Sequence, residues 1–178
     1  MNSIGLIELS SVAAGYQVAD KMIKTAAVEL LLMRTICSGK FIILIGGEVA
    51  EVTSSVESGV ASGDAAVIDS FVIPNVHPQV FDALKAITKV EKLEALGIIE
   101  AFSVSSLIEA ADAAVKSASV NLIEIRLAMA LGGKAFVTLT GEVEAVTAAI
   151  ETGSMMVSKK GLLVNSVVIP SPRPELLN

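Results

Sequence analysis

A chain of 178 residues can bury a sizeable core as one large domain or two small ones, and its 53% hydrophobic content and mean hydropathy of +0.71 come from Ala, Val, Ile and Leu, since only 3% of residues are aromatic and Trp is absent. Such small apolar surface suits flat helix and strand faces and often ends in subunit interfaces, whereas a net charge of -6 with no basic run and few rings to stack on bases argues against nucleic acid as a partner. The longest stretches without Asp, Glu, Lys or Arg are twelve residues, Ser70 to Phe81 and Gly161 to Pro172; both contain proline and both fall short of the roughly 20 apolar residues of a membrane span.

In chain order, the apolar run Ile4 to Leu9 ends at Ser10-Ser11, where a helix can be capped. Val12, Tyr16, Ala19, Ile23 and Ala26 then recur at steps of four, three, four and three, which predicts an amphipathic helix with that stripe against a sheet. Val28 to Ile36 reads as a strand, Cys37-Ser38-Gly39 as a loop, and Phe41 to Ile45 as the partner strand. After the Gly46-Gly47 turn, Glu48 and Glu51 suit the start of a helix whose buried stripe is Val49, Val52 and Val56 and whose end is set at Gly59 and Gly63. Val67 to Ile73 is a further strand, Pro74 to Pro78 leaves the sheet, Gln79 to Ile87 is a short helical piece, and Thr88 to Glu94 is a charged connector.

The pattern then begins again. Gly5-Leu6-Ile7-Glu8 returns as Gly97-Ile98-Ile99-Glu100, and the helix stripe as Val104, Ile108, Ala111, Val115 and Ala118, all at a shift of 92. Gly39-Lys40 and Gly47-Glu48-Val49 return at a shift of 94 as Gly133-Lys134 and Gly141-Glu142-Val143, and Val72-Ile73-Pro74 returns at 96 as Val168-Ile169-Pro170. Blocks kept in order with small slips define a tandem duplication of a β-α-β-β-α-β unit, an α+β fold of ferredoxin-like type, with domains at 1–90 and 91–178. Two copies are too few for a solenoid, but three such chains around an axis close a ring of six units, with the loop between the second and third strands of each unit at the centre.

Cys37 is the only cysteine, so one chain can form neither an internal disulfide nor a metal site of several thiolates; three chains around an axis supply three. A single cysteine and a first segment without a secretory pattern fit the cytoplasm. Gly132-Gly133-Lys134 and Ser38-Gly39-Lys40 lack the spacing of a phosphate-binding loop and precede strands rather than helices; their lysines are placed on the pore rim. His77, between Val76 and Pro78, has no partner in sequence for a catalytic dyad, and Glu8 and Glu100, repeated inside apolar strands, suggest a structural hydrogen bond or ion pair common to both units.

Taken together, Gly5-Leu6-Ile7-Glu8, Ala19-Asp20-Lys21-Met22-Ile23-Lys24, Ser38-Gly39-Lys40, Gly47-Glu48-Val49 and Val72-Ile73-Pro74, with their counterparts, resemble the shell proteins of bacterial microcompartments, in particular the tandem-domain, trimer-forming class. Thr35-Ile36-Cys37-Ser38-Gly39-Lys40 resembles the pore loop of the propanediol-utilisation type that carries an iron–sulfur cluster, with Ser38 where that loop commonly has proline. The resemblance implies a non-enzymatic homotrimer, a pseudohexamer tiling with other shell proteins, whose pore is lined by Cys37, Ser38, Gly39, Gly132 and Gly133. It implies a cluster, 4Fe-4S in type, shared by three chains through Cys37, with the fourth iron left to water or an exogenous ligand, passing electrons for an encapsulated redox enzyme. It places Lys24, Lys116 and Arg173 at the shell edge, with His77 in the arginine's place in the first half, and Ala27 and Ser119 where the family often has Asn. A metal-free metabolite pore in the same shell remains open, as does, from another class, a soluble ligand sensor or small enzyme built on the duplicated unit.

Overall fold

The computed structural model describes residues 2–90, 92–129 and 131–177, and the chain divides into two compact units, Met1–Val76 and His77–Asn178. The first contains β1 (Ser3–Leu9), α1 (Val12–Thr25), β2 (Glu29–Ile36), β3 (Lys40–Gly47), α2 (Val49–Gly63) and β4 (Val67–Ile73). The second opens with α3 (Pro78–Leu84) and continues with β5 (Ala95–Ala101), α4 (Val104–Ser117), β6 (Asn121–Leu127), β7 (Ala135–Gly141), α5 (Val143–Lys159) and β8 (Leu163–Pro170). Each unit holds a four-stranded antiparallel sheet, ordered β2-β3-β1-β4 in one and β6-β7-β5-β8 in the other. This is the ferredoxin-like arrangement expected of the duplicated unit.

The repeat extends to irregularities. The ladder slips between Glu8 and Leu9 and again between Glu100 and Ala101, and between Leu30 and Leu32 as between Leu122 and Glu124. The Ser11 hydroxyl accepts the Ala14 N–H at 3.3 Å at the start of α1, and Ser103 accepts that of Ser106 at 3.1 Å at the start of α4. Glu48 and Glu142 occupy the N-caps of α2 and α5, with Glu51 and Glu144 in the first turns, where the helix dipole favours negative charge. The slip from 94 to 96 falls in the second helices: α5 has 17 residues against 15 in α2.

In the first unit Ile7, Leu9, Phe41, Ile43 and Ile45 on the sheet meet Val18, Ala19 and Met22 of α1 and Val52 and Val56 of α2. Gly5 and Gly97 let the second helix of each unit lie close on its sheet: a Cβ at Gly5 would come 2.5 Å from Val56 Cγ2, and one at Gly97 2.8 Å from Ile150, Leu139 and Val146. Two sequence expectations change here. Gly59 does not end α2 but lies buried within it, where a Cβ would sit 2.5 Å from Ile7 Cδ1 and 2.7 Å from Met22 Cγ, so it serves close packing rather than termination. The stripe of α1 turned toward the core is Gly15, Val18, Ala19 and Met22; of the expected stripe only Ala19 is buried, while Val12, Tyr16 and Ile23 are exposed and Ala26 is the C-cap. A 3.6-residue period admits two neighbouring apolar strips, and the sheet takes the one whose small residues allow close approach.

The short helix expected over Gln79 to Ile87 is α3, and it packs on β6 and α4 of the second unit, whereas a boundary after residue 90 assigns it to the first half. Among the described residues no helix is long and apolar enough to cross a membrane.

Candidate functional site

The hairpin of β2 and β3 closes through a 3-10 turn, Cys37–Gly39, between Ile36 and Lys40, which pair across the ladder. Cys37 is half-buried, and Ser38 and Gly39 are exposed at the tip. Both tip residues adopt left-handed backbone, Ser38 with φ 64° and ψ 25° and Gly39 with φ 72°. Proline, locked near φ -65°, cannot take the Ser38 conformation, so the serine goes with a turn that the proline-bearing version of this loop cannot share. A left-handed serine carries strain that glycine lacks. Ser38→Gly is therefore expected to raise stability by about 0.5–1 kcal/mol, read as a higher denaturant midpoint with unchanged slope.

The equivalent loop between β6 and β7 is longer and contains no thiol. Leu127 pairs with Ala135 at its base, and Ala128, Gly132 and Gly133 turn it with φ values of 37°, 62° and 86°. A Cβ at Gly39 or Gly132 would meet nothing within 4 Å, so within the chain these glycines answer to backbone conformation rather than to crowding.

The lysines that follow the two loops behave alike. Lys40 Nζ binds Glu8 Oε1 at 2.7 Å and Lys134 Nζ binds Glu100 Oε1 at 2.5 Å, the ion pair suggested by the repeated glutamates. Their surroundings differ, with side-chain exposures of 3% for Glu8 and 30% for Glu100.

The residues placed at the shell edge fall on α1, α4 and the segments after each last strand. Lys24 pairs with Asp20 at 2.7 Å and Lys116 with Asp112 at 2.6 Å, each one helical turn apart. His77 caps α3: its Nδ1 accepts the Gln79 N–H at 3.4 Å, and its own backbone N–H donates to Asp112 Oδ1 at 2.8 Å. Arg173 is exposed just before a short 3-10 turn, Pro174–Leu177. Sequence reasoning passed over Asp112, which joins Lys116 to the start of α3. Its signal was there as an acidic residue repeated next to an apolar stripe, four positions before a repeated lysine. Among the described residues no group of three or more His, Cys, Asp or Glu side chains is gathered as for a metal ion.

A tandem ferredoxin-like protein with a loop at the tip of the central hairpin of each unit is the class of molecule that these observations define. The chain belongs to the BMC domain family, whose model matches it twice, over residues 3–76 and 95–172. It is 39% identical to the bacterial microcompartment shell protein PduT of Citrobacter freundii, over 98% of this chain and 95% of that protein. Its structure matches that of a microcompartments protein from Desulfitobacterium hafniense DCB with a TM-score of 0.93 and 51% identity, covering 99% and 98% of the two chains. The fold is also that of a fused permuted hexameric shell protein from the RMM microcompartment, with a TM-score of 0.64 and 20% identity over 88% of this chain and 81% of the other. The protein is a structural component of a bacterial microcompartment shell.

Proposed function

We propose that three copies of this chain close into a ring of six units that tiles with other shell proteins, and that Cys37 of each copy lines the central pore and contributes one thiolate to a shared iron–sulfur cluster. What carries the reading is the donor set. One half-buried thiol stands at the tip of a tight hairpin, its counterpart loop has none, and no other ligand cluster is gathered among the described residues. A donor set of one soft ligand per chain suits a cluster only where three chains meet, and thiolates are the usual ligands of such clusters. When bound, the cluster supplies a one-electron couple, and the role that follows is to pass electrons across the shell for an enclosed redox enzyme. The turn residues Ser38 and Gly39 hold the thiol-bearing tip, and the Glu8–Lys40 pair anchors the strand behind it.

The ring itself is supported by uneven burial. Val12, Tyr16 and Ile23 on the first unit's α1 are exposed, and so is an apolar excess that a lone chain leaves to water. A surface of this kind with a different complementary patch elsewhere on the chain gives head-to-tail contacts, which close when the rotation allows.

The test is iron and acid-labile sulfide per mole of trimer, with an ultraviolet-visible spectrum, on protein purified without oxygen beside Cys37→Ser. Expected are a brown wild type, a colourless variant, and the same trimer mass for both. A wild type that stays colourless and iron-free after reconstitution overturns the cluster and leaves a metal-free pore for small metabolites. A variant that loses the trimer makes Cys37 a structural residue.

A further inference from the structure

The duplication makes α1 and α4 equivalent, yet they are not equally covered. Val104, Ile108, Val115 and Leu122 are exposed by 1%, 0%, 6% and 0%, whereas the matching Val12, Tyr16, Ile23 and Leu30 are exposed by 37%, 60%, 44% and 39%. Part of the cover on the second unit is α3, and its contacts are specific. The His77 N–H donates to Asp112 at 2.8 Å, Gln79 Oε1 accepts the Leu122 N–H at 2.8 Å, and Gln79 Nε2 donates to Asn121 Oδ1 at 3.3 Å. Val80 is fully buried there, and the Asp112 side chain is only 8% exposed. Asp20, at the same place on α1, is 61% exposed.

The last residues of the chain repeat the segment that leads into α3. Asn75 and Ser171 both turn with left-handed backbone, at φ 54° and 48°. Val76 and Pro172, which follow them, are both buried. The Val80 N–H donates to the His77 carbonyl at 3.0 Å, and the Leu176 N–H to the Arg173 carbonyl at 3.1 Å. At the place of buried Val80, however, Leu176 is 56% exposed. One chain therefore carries a bare site and a segment that repeats the first turn of α3, with Ile23, Leu30 and Leu176 open to water.

We propose that residues 172–177 of one copy dock on α1 and β2 of the next copy as α3 docks on α4 and β6. The Arg173 N–H donates to the carboxylate of Asp20, and Leu176 buries itself against the apolar ground that includes Ile23 and Leu30. The contact is heterologous, so it names the joint by which the ring proposed above closes, and it rests on that reading. One feature of the joint departs from its template. Glu175 and Glu29 stand where Gln79 and Asn121 exchange an amide hydrogen bond, so two carboxylates oppose each other at the joint between copies.

The first experiment is cross-linking in a Cys37→Ser background with Lys24→Cys and Arg173→Cys, using a short bismaleimide, beside an intrachain control with Lys116→Cys and His77→Cys. The expected product is a covalent ladder that stops at three chains, while the control links within one chain. The second is trimer dissociation on dilution, followed by light scattering. Leu176→Asp is expected to raise the midpoint concentration about tenfold or more, the size of one lost buried leucine, and Glu29→Asn with Glu175→Gln is expected to lower it. A trimer by mass that gives no interchain link and ignores all three substitutions overturns the docking and leaves the ring standing. A chain that stays monomeric at every concentration overturns both.

Discussion

Gly15→Leu is expected to destabilise the first unit by about 3 kcal/mol, and the same leucine is expected to be tolerated when Phe41 is made alanine. A Cβ at Gly15 would lie 2.2 Å from Phe41 Cδ1 and 2.8 Å from Cγ and Cε1, so overpacking of a filled core is unavoidable. Phe41 is 2% exposed and its ring lies 5.5 Å from that of Tyr16, so it has little freedom to give way. At the positions that the repeat equates with these two, the second unit has Leu107 and Ala135, both fully buried. The two units thus divide one volume in opposite ways: glycine on the helix with phenylalanine on the strand, or leucine with alanine. Phe41→Ala alone is expected to cost about 3–5 kcal/mol through the cavity it leaves. The double variant is expected to recover at least about 2 kcal/mol of the summed losses, as residues in contact should. Denaturant unfolding at a fixed chain concentration measures all four corners of the cycle, since oligomerisation shifts the midpoint by mass action. Losses that simply add would show that the two positions do not share a volume.

The second large effect concerns the pair behind the thiol-bearing turn. Lys40→Met leaves the Glu8 carboxylate, 3% exposed, without its cation, and the expected cost is about 3–5 kcal/mol. The same change at Lys134 leaves Glu100, which is 30% exposed and can turn to water, and is expected to cost about 1 kcal/mol or less. Adding Glu8→Gln to Lys40→Met should restore much of the loss, because a neutral amide is far cheaper to bury than an unpaired charge. Thermal midpoints of the three variants decide this. Equal effects of Lys40→Met and Lys134→Met would mean that burial of Glu8 does not set the strength of the pair.

Much of this molecule was legible because it is written twice. A position that recurs in both halves is one on which both copies of the unit make the same demand. Repetition alone therefore marked Glu8 and Glu100 as partners of a structural contact, whereas the close approach at Gly5 and Gly97 shows only in the packed fold. The order of strands and helices followed from apolar runs and from stripes at steps of three and four, and helix starts from Ser11, Glu48 and the repeated Glu142. The turn at Cys37 was visible as a break between two apolar runs, although its left-handed serine was not, since nothing in the residue type requires that backbone.

By itself, then, the sequence determined the duplication, the ferredoxin-like unit, the hairpin that carries the thiol and the family to which the chain belongs. The tertiary structure decided the rest: which strip of α1 meets the sheet, that Gly59 is packed inside α2, and that α3 lies with the second unit. The physical reason is that periodicity reports which faces are apolar but not what each face meets. On α1 two apolar strips lie side by side; Gly15, Val18, Ala19 and Met22 face the core, while Tyr16 and Ile23 stay exposed as their counterparts Ile108 and Val115 do not. Only the packed fold separates a residue buried within its own unit from one left open.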